Sequence, residues 1–154
     1  MYRIKNYKLE VFLVHPGGPF WEHKDLGIWG IPKGERDDPS HDLFDVAKRE
    51  FSEETGIAIP ENTKFIPLGN IKQGNGKIVH AWGFLNNENF KFNCTSYINM
   101  MYNDKMIEFC EVDKGEFFSV EIAKKKILNS QFELVERLMK KLNIKDKSDK
   151  QLKL

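Results

Sequence analysis

Glu50, Glu53 and Glu54 stand at i, i+3 and i+4 in the run Arg49-Glu50-Phe51-Ser52-Glu53-Glu54-Thr55-Gly56. If the run is helical, one face carries all three carboxylates. Left alone they repel one another and weaken the helix. A hard divalent cation such as Mg²⁺ prefers oxygen ligands and would neutralise them. The plainer alternative is a solvated acidic face, with Lys48 and Arg49 as ordinary ion-pair partners.

The helix that positions them is expected from Asp42 to Thr55. Leu43, Ala47 and Phe51, with Phe44 and Val46 beside them, form its buried stripe. Ser40 or Asp42 can cap its start, and Gly56 supplies a left-handed C-cap. The acidic face and the core face are therefore distinct. Ahead of it, Leu9 to Val14 reads as a strand, preceded by a turn at Lys5-Asn6. His15 to Gly30 reads as a loop punctuated by glycine and proline, of the kind that commonly carries function. After the helix, strands are expected at 64–72 and 77–85, joined through Asn75-Gly76. Alternation sets Ile78, His80, Trp82 and Phe84 on one face, so His80 and Trp82 can line a groove, although core packing is the commoner fate of a tryptophan.

Asn86 to Asn99 is polar and carries no clear element. Ser96 to Tyr102 reads as a short strand, Met106 to Asp113 is left unassigned, and Glu116 to Ser119 reads as another strand. Val120–Leu128 and Gln131–Leu142 read as packing helices, the second through Leu134, Leu138 and Leu142. A single domain over 1–144 and a disordered charged tail over 145–154 are expected.

Composition narrows the class. The 154 residues suffice for one good core. Lys plus Arg number 24 against 23 Asp plus Glu, so no global basic field announces a nucleic-acid polymer or a membrane surface. No apolar run approaches the roughly 20 residues that cross a bilayer, and the N-terminus has no signal-peptide pattern. Cys94 and Cys110 form no CxxC pair and point to reduced thiols in the cytoplasm.

The flanks of the acidic run carry a resemblance. Arg49-Glu50-Phe51-x-Glu53-Glu54-x-Gly56-Ile57, behind a glycine and an acidic loop, resembles the Nudix box, whose second half is written R-E-U-x-E-E-x-G-U. Trp29-Gly30-Ile31-Pro32-Lys33-Gly34 resembles the W-x-x-P-K-G entry to that box. His15-Pro16-Gly17-Gly18-Pro19-Phe20-Trp21 is similar to a segment of one bacterial subgroup. The likeness runs from about Tyr2 to about Leu142. One departure lies inside the box: its first glutamate falls on His41 counted back from Arg49, and on Ser40 counted forward from Gly34. In the family that glutamate braces the loop, a role open here to Asp37, Asp38 or Asp42.

The resemblance implies an α/β fold, a Nudix-type α/β/α sandwich with a mixed β-sheet. Relatives begin with a full strand, so most of that strand is missing if Met1 is the natural start, and low stability, an open edge or pairing with a second copy would follow. It further implies Mg²⁺- or Mn²⁺-dependent hydrolysis of a nucleoside diphosphate linked to another moiety. The expected metal ligands are Glu50, Glu53, Glu54 and the carbonyl of Gly34, with Glu108 as a further ligand or base and Glu111 as its runner-up. Glu53 or Glu108 would take a water's proton, and Arg49 would orient a glutamate. Lys33 can reach a phosphate. Trp29 can stack on a base or pack, and Trp21 can plug the core. The expected partner is a small nucleotide, and the state a monomer or homodimer.

On substrate class, the W-x-x-P-K-G entry is shared with dinucleoside polyphosphate hydrolases, yet the tyrosine they often carry beyond the box has no counterpart at Lys72 to Asn75. The proline of ADP-ribose hydrolases is absent as well, since Pro67 comes too early; nucleoside triphosphates stay open. A second reading is a catalytically weak or inactive nucleotide-sensing protein on the same fold, motivated by His41. A third is an unrelated small α/β binding domain with an accidental acidic helix.

Overall fold

In the computed structural model, which describes residues 1–145, the layers are organised by strand β2 (Lys8–Pro16). Its side chains alternate between two cores: Leu9, Val11 and Leu13 join one cluster, and Phe12 and Val14 join the other. A strand buried on both faces is the middle of a sandwich. The first cluster is closed by helices α2 (Val120–Lys126) and α3 (Phe132–Lys141), through Ala123, Leu134, Val135 and Leu138. The second is closed by helix α1 (Leu43–Thr55), through Phe51 against Phe84. The architecture is an α/β/α sandwich.

β2 pairs antiparallel with β1 (Tyr2–Lys5) on one side and with β7 (Val112–Ser119) on the other. Two further hairpins are β3 (Phe65–Lys72) with β4 (Ile78–Phe84), and β5 (Tyr97–Tyr102) with β6 (Lys105–Cys110). The expected strands recur, with β7 beginning earlier than Glu116. Tyr2 makes a parallel bridge to Leu85, and its carbonyl accepts from the Asn86 N–H at 2.9 Å. This contact ties the end of β4 to β1 and makes the strand layer mixed. Instead of an open edge, β1 has four residues and is met on its outer side by Leu85 to Asn87.

Three local readings change. The first turn is Asn6-Tyr7, at φ 50° and 61°, one residue later than Lys5-Asn6. The stretch 105–110 is strand β6, reached through Asn103-Asp104 at φ 49° and 61°. Both are left-handed turns built without glycine, which is why the sequence hid them. Third, α2 stops at Lys126, and a 3₁₀ turn at Asn129–Gln131 leads into α3. Beyond Lys145 the expected charged tail lies outside the described residues. No described helix is long and apolar enough to cross a membrane.

The loop after β2 is sewn to α2: Gly27 and Trp29 donate N–H bonds to Lys125 and Lys126, and Lys126 pairs with Asp25. Trp29 is therefore core, only 2% exposed, with its indole N–H on Asp25 at 3.0 Å and its ring edge-on to Phe118 at 4.9 Å. It is no base-stacking platform, because both ring faces are enclosed by protein. Trp21, expected as a plug, is exposed and lies under Lys24. Trp29→Ala is expected to lower the unfolding free energy by roughly 3–5 kcal/mol. A denaturant titration checks this, and an unchanged midpoint would mean that the ring is not core.

Candidate active site

Helix α1 begins at Asp42, whose carboxylate accepts from the N–H groups of Phe44 and Asp45 at 2.9 and 3.2 Å. It ends at Gly56, whose φ of 69° is a left-handed cap. Of the expected stripe Val46 and Phe51 are buried, whereas Leu43, Phe44 and Ala47 are half-buried. The same helix also buries two of its acids: Glu50 is 8% exposed and Glu54 2%. Glu53 stays half-exposed.

The loop entering the site passes directly over these acids. A Cβ on Gly34 would lie 1.8 Å from the Glu50 carboxylate, so no side chain fits there. One residue earlier, the Lys33 N–H donates to Glu54 Oε2 at 2.9 Å. Arg49 is shared among three acids, at 2.6 Å from Glu50, 3.0 Å from Glu53 and 3.2 Å from Asp37. Asp37 thus ties the lengthened loop to the helix. Asp38 instead closes a local turn on the Ser40 N–H, and Asp42 is spent on the cap. His41 is exposed and gives its carbonyl to Arg36.

A cleft of about 1020 Å³ opens between α1, the Lys33–Asp37 loop and the β3–β4 hairpin. Glu50, Glu53, Arg49, Lys33 and Gly34 line it, and Glu54 lies behind its wall, held by Lys33. Trp82 and His80 line the opposite side, with Phe44 of α1 at 5.3 Å from the Trp82 ring. At the mouth Lys77 pairs with Glu35, bridging loop and hairpin. Trp29 is not part of the cleft, as its core position requires.

Glu108 is a correction as well. It sits exposed on β6 opposite Asn99, outside the cleft. Its neighbour in the expectation, Glu111, lies at the junction of β6 and β7 and does line the cleft, accepting from Ser96 Oγ at 2.7 Å. Glu108 lies within β6, whereas Glu111 lies past its end, where the chain turns into β7. Ser96 and the Phe44 side of the cleft went unmarked in the sequence, because Ser96 ends a polar stretch without periodicity and Phe44 reads as ordinary core.

Burial dominates the electrostatics. It pushes the Glu50 carboxyl above its ordinary range, with Arg49 opposing and Glu53 and Glu111 adding to the rise. It pushes Glu54 to about 8, against the Lys33 amide and charge, with Glu111 and Glu50 adding. Among the described residues no three His, Cys, Asp or Glu groups converge as a ready metal-binding set. The donor chemistry nevertheless fits a hard divalent cation: two buried oxygen donors on one helix are short of positive charge, and Glu111 worsens the deficit.

The folded state holds the Glu54 proton more tightly than the unfolded chain, whose carboxyl titrates near 4.5. Between about 4.5 and about 8 the native state binds more protons, so stability falls as pH rises through that window. Without divalent cations, the melting temperature should decline from pH 5 to pH 8. Glu54→Gln should flatten the decline, and thermal melts across that range read both.

No protein-family model matches the chain, and neither does any curated protein. Solved structures do match. The Ap4A hydrolase of C. elegans, in a binary complex, aligns over 92% of this chain and 93% of its own, at 21% identity and a TM-score of 0.60. The NUDIX domain of Shewanella oneidensis NrtR, complexed with ADP ribose, aligns over 92% and 82%, at 15% identity and a TM-score of 0.59. A mutT/nudix family protein from Listeria innocua aligns over 92% and 88%, at 14% identity and a TM-score of 0.57. Identities this low speak for architecture alone, and the architecture is that of the Nudix fold.

Proposed function

We propose that this chain is a Mg²⁺- or Mn²⁺-dependent hydrolase that cleaves a phosphoanhydride bond in a nucleoside diphosphate linked to another moiety. The observation that carries the reading is the buried pair Glu50 and Glu54 beneath Lys33 and Gly34, carboxyl oxygens short of positive charge at the wall of a nucleotide-sized cleft. Glu50, Glu53 and Glu54, with the Gly34 carbonyl, would hold the metal. Bound there, the ion would screen phosphate charge and acidify a water.

The chain's own groups do the rest. Glu111 accepts the water's proton in this reading, with Glu53 as the other candidate. Glu53 already shares the Arg49 charge, which makes it the poorer base, whereas Glu111 has only a neutral hydroxyl on it. Arg49 orients Glu50 and Glu53, and Asp37 holds the loop to Arg49. Lys33 meets a phosphate at the wall. Trp82 and Phe44 offer aromatic surface to a base, and His80 stands nearer the mouth. A small nucleotide in a cytoplasmic setting, acted on by a monomer or homodimer, completes the reading. The ADP ribose of one structural relative and the Ap4A named for another are the substrates to try first.

The test is nucleotide or phosphate release from a panel of nucleoside diphosphate derivatives with Mg²⁺ or Mn²⁺. Turnover should require metal and collapse in Glu53→Gln and Glu54→Gln. Glu111→Gln should lower kcat by about 100-fold or more, whereas Glu108→Gln should stay within about threefold of wild type. The acids that do not converge among the described residues favour one other reading, nucleotide sensing without hydrolysis. A folded protein that binds nucleotide and metal but turns over nothing on the panel would establish that reading instead.

A further inference from the structure

Residues 93–96 run between the C-terminal turn of α1 and Glu111, and they are bonded to both. The last carbonyls of a helix have no donors within it. Here Asn93 N–H reaches Thr55 O at 2.8 Å, and Thr95 reaches Glu53 O with its N–H at 2.8 Å and its hydroxyl at 3.0 Å. On the other side the Glu111 N–H donates to Ser96 O at 2.9 Å, and the Gly17 N–H donates to Glu111 O at 2.9 Å. The Glu111 backbone is thereby held from two directions. Among the described residues its side chain has a single hydrogen bond, from Ser96 Oγ to Oε2.

We propose that Ser96 is a positioning residue, whose hydroxyl aims the Glu111 carboxylate into the cleft while the segment it belongs to registers that carboxylate against the acids of α1. The proposal rests on the hydrolytic reading with Glu111 as proton acceptor. The hydroxyl occupies Oε2 and leaves Oε1 to accept a proton. A bond from a neutral donor to a charged acceptor is strong enough to hold one rotamer. Among the described residues the Ser96 hydroxyl is the one hydrogen-bond donor that fixes this carboxylate.

The first arm of the test needs no turnover. In metal-free protein labelled at glutamate side-chain carbons, the Glu111 carboxyl resonance should shift or broaden in Ser96→Ala and return in Ser96→Thr, with backbone exchange protection at Thr95 unchanged. Ser96→Cys removes the strong donor at nearly constant volume and answers the same question if the alanine variant unfolds. A Glu111 resonance unmoved in both donor-deleted variants overturns the proposal. In the second arm, Ser96→Ala should lower kcat about tenfold with KM little changed, Ser96→Thr should recover most of it, and the variant carrying Ser96→Ala with Glu111→Gln should be no slower than Glu111→Gln alone. Additive losses would overturn the proposal. Should Glu111→Gln itself turn over like wild type, the assignment of Glu111 as base fails, and the resonance arm alone then decides whether Ser96 holds it.

Discussion

Everything at this site follows from burying acid on a helix that also has to bury a core stripe. Val46 and Phe51 press α1 onto the strand layer, and this pressing takes Glu50 and Glu54 out of water with them. An ionised carboxylate in such a place is costly unless hydrogen bonds or charge answer it. The chain answers only in part. Glu54 receives one backbone amide, and Glu50 receives a third share of one arginine. Gly34 can lie against Glu50 only because it has no side chain. The unanswered remainder shows as a raised proton affinity at both carboxyls, reaching about 8 at Glu54.

The strand layer exists, in this view, to keep that arrangement rigid from three sides. β4 delivers Trp82 and Phe84 toward α1 while Ala81 and Gly83 stay small on the α3 side, where Leu138 would meet a Cβ on Gly83 at 3.1 Å. β2 carries hydrophobes on both faces and so anchors both helical layers to one backbone. The first part of the connection after β2, residues 17–30, lines none of the cleft. His15 is buried between Asp113 and the Lys24 carbonyl, and Gly17 and Gly18 pack under Cys110 and Phe109. Its aromatic and glycine-rich composition serves the docking of α2 and the β6–β7 junction.

Much of this was legible from residue order alone. The acid spacing of Glu50, Glu53 and Glu54, the Asp42 and Gly56 caps and the Asn75-Gly76 hairpin each depend on interactions a few residues long, which the sequence writes directly. The choice between stacking and packing for Trp29, and the misplacing of Glu108, have a different reason. Whether an indole faces solvent or core, and whether an acid at the end of a strand points into a cleft, depends on which distant strand comes alongside. Glu111 was distinguishable from Glu108 only once the register of β5 on β6 was known. Asp37 took the loop-bracing position through a one-residue lengthening that no local pattern ranks against Asp38 or Asp42.

The pairing of β2 with β7 has a consequence for how the molecule comes into being. Glu10 lies opposite Ser119, so the central ladder closes only when segments on either side of α1 and both hairpins meet. Long-range pairing of this kind is slow, since the loop entropy is spent before the contacts return it. A nascent chain emerging from the ribosome would hold α1 with its acids still solvated and close to their free acidity. The raised proton affinity of Glu54 therefore belongs to the finished topology, where burial produces it, and not to the helix by itself.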